Sequence, residues 1–136
     1  MAGNWKCNPA TRSEAITLLR LLAANFINHR TPATPSTTTD NAVANEVQLQ
    51  TPEMVLFIPL PYLSDAMSIL EGTGIQVGVQ TVSYTNTIGP YTGEVTTSML
   101  QSIGCTYVLL GHSERRILYG ETNQYINTIL HNCLSN

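Results

Sequence analysis

Short apolar runs alternate along this chain with longer segments whose apolar residues have helical spacing. The runs lie at residues 1–5, where only the end of a strand is present, and at 54–58, 75–80 and 107–110. The last run shows no polar alternation, which predicts a strand buried on both faces, as in a parallel sheet. Four strands are therefore expected.

Helical segments follow each of these strands. Thr11 and Glu14 fit a capping box, and an apolar stripe follows them. Further helices are predicted for about residues 62–71, after a cap at Thr96 and after a cap at Thr122. The order β-α-β-α-β-α-β-α predicts an α/β fold with parallel strands joined by right-handed crossovers. Four such units fit either a small open sheet or half of an eight-stranded barrel.

Residues 31–52 interrupt this pattern. Thr, Pro, Ser and Asn dominate the segment and bulky apolar residues are few, which predicts a solvent-exposed, poorly ordered connection inserted into the fold. A docking segment with a function of its own is the alternative. The length of 136 residues favours one domain that spans the chain, residues 1–136.

Composition narrows the choice of partners. With a formal net charge of −3, the chain lacks the basic field that would attract nucleic acid or an anionic membrane. No apolar run approaches the roughly 20 residues of a membrane-spanning helix, and no secretion signal is legible. Cys7, Cys105 and Cys133 cannot all pair within the chain, so we expect reduced thiols and a cytoplasmic protein. Metal-binding and phosphate-loop motifs are missing, so we expect no metal and no organic cofactor.

Candidate chemistry lies where two of the predicted strands end. The run at 107–110 leads directly into Gly111 and His112, and the first run leads into Asn4 and Lys6. In α/β folds the carboxyl ends of the strands form the edge where ligands bind. The sequence therefore predicts a ligand site at this edge.

Three motifs together resemble triosephosphate isomerase. They occur in order at the ends of successive βα units and cover nearly the whole chain except 31–52. The resemblance implies the amino-terminal (β/α)4 half of a TIM barrel, an eight-unit fold of typically ~250 residues. The motifs are Gly3-Asn4-Trp5-Lys6-Cys7-Asn8, Gln80 followed by Tyr91-Thr92-Gly93-Glu94-Val95, and Gly111-His112-Ser113-Glu114-Arg115-Arg116 continued by Tyr119-Gly120-Glu121-Thr122.

The resemblance implies a reaction and a set of site residues. The family interconverts dihydroxyacetone phosphate and glyceraldehyde 3-phosphate through an enediolate, in glycolysis and gluconeogenesis. By resemblance, a neutral His112 is the electrophile that polarises the substrate carbonyl, while Lys6 and Asn4 stabilise the developing oxyanion. Glu114 is then expected to pair with Lys6, and Ser113 to line the pocket.

Each of these residues also has a plainer interpretation. An isolated histidine more often satisfies a hydrogen bond in a loop, a lysine is usually solvated, and an asparagine often forms a turn. Outside its motif, Glu114 with Arg115 and Arg116 is typical of a solvated charged loop.

Thr92 lies at the tip of a long polar loop, residues 81–93. In the family this loop reaches into the partner subunit, so the resemblance implies a homodimer. Cys7 is then expected near the interface. The alternative for Cys7 is a small buried side chain.

The family's catalytic base and phosphate-binding loops are missing from the resemblance. None of Glu94, Glu114 and Glu121 matches the glutamate of the sixth loop that acts as base. We therefore expect little or no isomerase activity from this chain alone. Two other hypotheses stay open: a non-catalytic half-barrel that self-associates or binds a partner, and an incomplete gene product.

Overall fold

The computed structural model of the chain describes residues 1–30 and 53–135. The segment 31–52, for which we predict an exposed connection, lies outside the described residues. Among the helices that are described, none is long and apolar enough to cross a lipid bilayer.

A parallel sheet forms the centre of the described part of the chain. Its strands are β1 (Ala2–Asn4), β2 (Met54–Ile58), β3 (Ile75–Val79) and β4 (Tyr107–Val108), and they lie side by side in chain order. Each strand pairs in parallel with the next one along the chain. The predicted parallel pairing is therefore confirmed, and the carboxyl ends of all four strands lie at the same edge.

Helices connect the strands, as expected for βα units. Four of them correspond to predicted helices, with a 3-10 turn at Leu60–Tyr62 leading into the second. Helix α4 was not predicted, because Ser-Glu-Arg-Arg at its start shows no apolar stripe. The helices are α1 (Arg12–Arg30), α2 (Leu63–Leu70), α3 (Thr97–Ser102), α4 (Ser113–Leu118) and α5 (Asn123–Leu134).

Side-chain caps begin three of the helices as predicted. At α1, the Thr11 N–H donates to Glu14 Oε2 at 3.0 Å and the Glu14 N–H donates to Thr11 Oγ1 at 3.3 Å, which is a reciprocal capping box. The hydroxyls of Thr96 and Thr122 each accept a backbone N–H in the first turn of α3 and α5. These caps fix where the loops end and the helices begin.

The hydrophobic core lies between the sheet and the helices α1, α2, α3 and α5. Buried apolar side chains of β2 and β3 pack against apolar side chains of these helices. Removal of this apolar surface from water is the main force that holds the layers together. The largest fully buried side chains are Leu19, Ile58, Leu63, Leu70, Val79 and Ile129.

Gly78 in β3 allows an aromatic ring to lie directly on the sheet. A methyl group at Gly78 would stand 2.8 Å from Phe57 Cε1 and 2.8 Å from Tyr107 Cβ. The Phe57 ring from β2 therefore fills the space above β3 and is buried. This close approach ties β2, β3 and β4 together on one face of the sheet.

Strand β4 differs from the prediction of a strand buried on both faces. Only Tyr107 and Val108 pair as a strand, and residues 107–110 are all half-buried. The prediction was wrong because β4 is last in the strand order, so β3 is its one neighbouring strand within the described residues. An outermost strand stays partly exposed whatever its composition.

Candidate active site

Polar side chains from three regions meet at the carboxyl edge of the sheet, the edge formed by the carboxyl ends of the strands. Asn4 ends β1 and Lys6 follows it, Gln80 follows β3, and His112 and Glu114 lie where α4 begins. We call these five residues the edge cluster. Four of them are site residues predicted from the sequence.

The side-chain amide of Gln80 joins the ends of β1 and β2. Its Nε2 lies 2.7 Å from the Lys6 carbonyl oxygen, 3.1 Å from Asn4 Oδ1 and 3.3 Å from the Phe57 carbonyl oxygen. Asn4 Oδ1 also accepts the backbone N–H of Lys6 at 2.9 Å. Because Asn4 Oδ1 accepts two hydrogen bonds, the orientation of the Asn4 amide is fixed. The hydrogens on Asn4 Nδ2 can then donate to a ligand.

Lys6 has a left-handed backbone conformation, with φ at 54°. This region is unfavourable for a residue with a side chain, and such strain occurs where a side chain must be held in one direction. Lys6 Nζ lies 2.7 Å from Glu114 Oε1. The ion pair therefore connects the end of β1 with the start of α4, as the resemblance implies.

Glu114 is held in its ionised form. Its hydrogen bond from the Lys6 ammonium lowers the pKa of the carboxyl, and charge attraction to Lys6 acts in the same direction. A carboxylate that is stabilised in this way is a poor acceptor for a proton from carbon. Glu114 is therefore suited to orient Lys6.

The imidazole of His112 caps α4. His112 Nδ1 accepts the backbone N–H of Glu114 at 3.3 Å, which requires an unprotonated Nδ1. The Glu114 carboxylate lies 3.6 Å from the same nitrogen, which is too far for a hydrogen bond. The backbone contact therefore favours a neutral ring whose Nε2 carries the proton and can donate it to a ligand.

A partly buried ion pair holds α4 against the segment that leads into α5. Arg115 Nε lies 2.5 Å from Glu121 Oε1, and Glu121 is buried. The Arg115 guanidinium also lies 4.9 Å from the centre of the Tyr119 ring, and Arg116 Nε donates to the Gly111 carbonyl at 3.0 Å. These contacts fix the first turn of α4, where two members of the edge cluster lie.

Three predicted site residues lie outside the edge cluster. Ser113 is exposed as the first residue of α4, and Thr92 is exposed on the loop between β3 and α3. Cys7 is exposed directly after Lys6. The alternative interpretation of Cys7 as a buried side chain is therefore wrong.

Gln80 is the member of the edge cluster for which no role was predicted from the sequence. It belongs to one of the three motifs, and it directly follows a buried strand, as His112 follows another. That position was the signal that could have identified it. Its contacts with two other strands only become visible in three dimensions.

The edge cluster presents hydrogen-bond donors. His112 Nε2, Asn4 Nδ2 and Lys6 Nζ suit an oxygen atom that gains negative charge during a reaction. Glu114 is engaged by Lys6 and Glu121 by Arg115, so neither carboxylate is a free base. Within residues 1–30 and 53–135, no group of three His, Cys, Asp or Glu side chains is arranged to hold a metal ion.

Parallel βα units with polar groups at the carboxyl edge define the class of α/β proteins that carry their active sites at this edge. A solved structure gives the architecture. The crystal structure of triosephosphate isomerase from Bartonella henselae matches with a TM-score of 0.72 and 30% sequence identity, over 99% of this chain and 46% of that chain. The fold is therefore the (β/α)4 half of a TIM barrel.

Sequence comparison identifies the family. A sequence profile of the triosephosphate isomerase family matches residues 20–136, and the chain belongs to this family. The triosephosphate isomerase of Herminiimonas arsenicoxydans is 37% identical over 93% of this chain and 42% of its own length. That of Herpetosiphon aurantiacus is 35% identical over the whole chain and 46% of its own length. The chain thus spans less than half the length of the relatives it matches.

Proposed function

We propose that this chain supplies the electrophilic half of a triosephosphate isomerase active site. The observation that carries the proposal is the edge cluster, in which an imidazole, an amide and an ammonium group lie together at the carboxyl ends of β1 and β4. The reaction interconverts dihydroxyacetone phosphate and glyceraldehyde 3-phosphate. The family resemblance supports a role in glycolysis and gluconeogenesis in the cytoplasm.

The proposed chemistry assigns each donor to the substrate oxygens. A base removes a proton from the carbon next to the carbonyl, and negative charge moves to the carbonyl oxygen to give an enediolate. His112 Nε2–H polarises that oxygen and then carries a proton between the two oxygens. Lys6 and Asn4 stabilise the negative charge, and the Lys6 ammonium also attracts the phosphate.

In this proposal, the base and the phosphate-binding loops come from residues outside this chain. The carboxylates of Glu114 and Glu121 are engaged in ion pairs, and Glu94 is exposed on the loop before α3. A general base typically contributes 10²- to 10⁴-fold to a rate. The chain alone is therefore poorly active or inactive.

A hybrid enzyme tests the proposal. Residues 1–136 are fused to the carboxyl-terminal portion of the Herminiimonas arsenicoxydans isomerase, the portion that this chain does not match. We expect isomerase activity from the hybrid in a coupled assay. Substitution His112→Ala should lower its kcat by roughly 10²- to 10³-fold, the loss typical of removing one oxyanion donor.

His131→Ala is the matched control in the same hybrid. His131 is exposed on α5, away from the edge cluster, so its removal should leave kcat unchanged. A folded hybrid without activity would contradict the proposal. Equal activity in the His112→Ala and His131→Ala hybrids would contradict the role of His112.

The same proposal includes a homodimer. The loop between β3 and α3 carries exposed apolar residues at its tip, with Ile88 at 88% exposure, and α4 ends in the exposed residues Ile117 and Leu118. Exposed apolar residues of this kind are typical of an interaction surface. In the dimer the loop with Thr92 docks on the partner subunit near Cys7.

Sedimentation of the purified chain tests the dimer. We expect a concentration-dependent dimer that Ile88→Asp dissociates, because a carboxylate would be buried in the interface. Leu21→Asp is the control, since Leu21 is an exposed apolar residue on α1. A chain that stays monomeric at high concentration, or equal effects of the two substitutions, would overturn the docking of this loop.

A further inference from the structure

Gln80 lies at the centre of the hydrogen bonds that shape the edge cluster. Its two Nε2 hydrogens face three oxygen atoms. The Phe57 carbonyl is the farthest of them and already accepts the Trp5 N–H at 3.0 Å. The two hydrogens of Gln80 are therefore best used on the Lys6 carbonyl and on Asn4 Oδ1.

These two hydrogen bonds control the groups that would meet a substrate. The bond to Asn4 Oδ1, together with the Lys6 N–H on the same oxygen, determines which way the Asn4 amide faces. The bond to the Lys6 carbonyl holds a residue whose φ of 54° is otherwise unfavourable. Both effects come from one half-buried side chain that directly follows β3.

We propose that Gln80 is a positioning residue, which orients the Asn4 amide and holds the left-handed backbone of Lys6 so that both donors face the ligand side of the carboxyl edge. Its importance for catalysis rests on the proposed function. Its effect on Asn4 and Lys6 does not, because those contacts exist without substrate.

Two probes in the purified chain report on this effect. The Lys6 backbone N–H donates to Asn4 Oδ1, so its hydrogen-exchange rate reports the orientation of the Asn4 amide. Lys6 is also the sole lysine of the sequence. Reductive methylation with ¹³C-formaldehyde therefore gives one labelled side chain, besides the amino terminus, whose NMR signal reports the contact with Glu114.

The test compares Gln80→Met with Gln76→Met. Both remove a side-chain amide, one within β3 and one directly after it, but Gln76 is exposed. We expect Gln80→Met to speed exchange of the Lys6 N–H by roughly tenfold, the effect of losing one hydrogen bond of typical strength. It should also shift the methyl signal of Lys6 towards that of a Glu114→Gln reference, whereas Gln76→Met should change neither.

Equal exchange rates and equal methyl signals in the two variants would overturn the inference. Should Gln80→Met also lose protection of the β2 and β3 amides, which indicates unfolding, Gln80→Asn replaces it. Asn keeps a neutral amide but has a side chain one methylene shorter. The exchange rate of the Lys6 N–H and the methyl signal of Lys6 are then compared with those of Gln76→Met in the same way. Because no substrate is present, these results stand apart from the activity of the hybrid enzyme.

Discussion

Lys6 combines a functional side chain with an unfavourable backbone conformation. It carries the cation of the edge cluster, and its backbone has a φ of 54°, a conformation that costs a residue with a side chain roughly 1–2 kcal/mol. Its N–H and its carbonyl are both hydrogen-bonded within the edge cluster. The strain is thus offset locally, and the result is an ammonium group directed at Glu114.

The backbone strain at Lys6 can be measured with two variants. We expect Lys6→Gly to have a higher free energy of unfolding than Lys6→Ala, by roughly 1 kcal/mol, because glycine tolerates positive φ. Both variants lose the ion pair with Glu114, so the difference between them isolates the backbone. Urea unfolding measures it, and equal stabilities would show that the position is not strained.

The three thiols should differ in reactivity. Burial raises the pKa of the Cys105 and Cys133 thiols, whereas Cys7 is exposed. Since the thiolate is the reactive form, we expect Cys7 to react first with a disulfide reagent at pH 8. Cys7→Ser should remove the fast phase, and a fast phase that persists in this variant would contradict the assignment.

The same raised pKa of Cys105 has a consequence for stability. An unfolded thiol loses its proton near its usual pKa of 9.0, while the folded thiol keeps it to higher pH. The protonated Cys105 thiol therefore contributes fully to the free energy of unfolding below about pH 9. This contribution is lost as the pH rises through the pKa of the folded thiol. Cys105→Ala should weaken the alkaline decline in unfolding free energy, measured between pH 8 and 10.

Asn4, Lys6, His112 and Glu114 were predicted as site residues from the motifs that resemble triosephosphate isomerase. These motifs lie where apolar runs end, and parallel strands bring such positions to one edge of the sheet. The role of Gln80 could not be predicted in this way. It depends on distances to oxygens of β1 and β2, which the sequence does not contain.

Among the elements, those with local signals were predictable and those set by tertiary contacts were not. The caps at Thr11, Thr96 and Thr122 begin helices where expected, because a hydroxyl and a backbone N–H three residues away suffice. Helix α4 has few such signals. It is stabilised instead by the ion pair of Arg115 with Glu121, a residue that lies beyond the end of the helix. The burial of β4 depends likewise on its neighbours.

The contact of Phe57 with Gly78 is a test at the level of the sheet. We expect Gly78→Ala to lower the free energy of unfolding by about 1–3 kcal/mol, because the added methyl overlaps Phe57 and Tyr107. Gly89→Ala is the control, since Gly89 lies on the exposed loop and its new methyl would only meet the Tyr91 ring at 3.2 Å. Equal losses in urea unfolding would contradict the close approach in the sheet.

At the scale of the whole molecule, the chain covers only part of the length of the solved structure that it resembles. The chain covers 46% of the Bartonella henselae structure, and β1 and β4 are the outer strands of the described sheet. Outer strands present unpaired backbone groups that favour pairing with further strands. This geometry favours completion of the barrel by other residues, and it also keeps a non-catalytic, self-associating half-barrel as the second hypothesis.

In our proposal the edge cluster supplies hydrogen-bond donors but no base. An isomerase assay on the purified 136-residue chain, with the His112→Ala variant purified in parallel, decides whether this is so. The proposal predicts no activity in the wild-type chain above that of the variant, since a trace of host isomerase would appear equally in both. Activity that disappears with His112→Ala would contradict it, because a carboxylate within this chain or its assembly would then be the base.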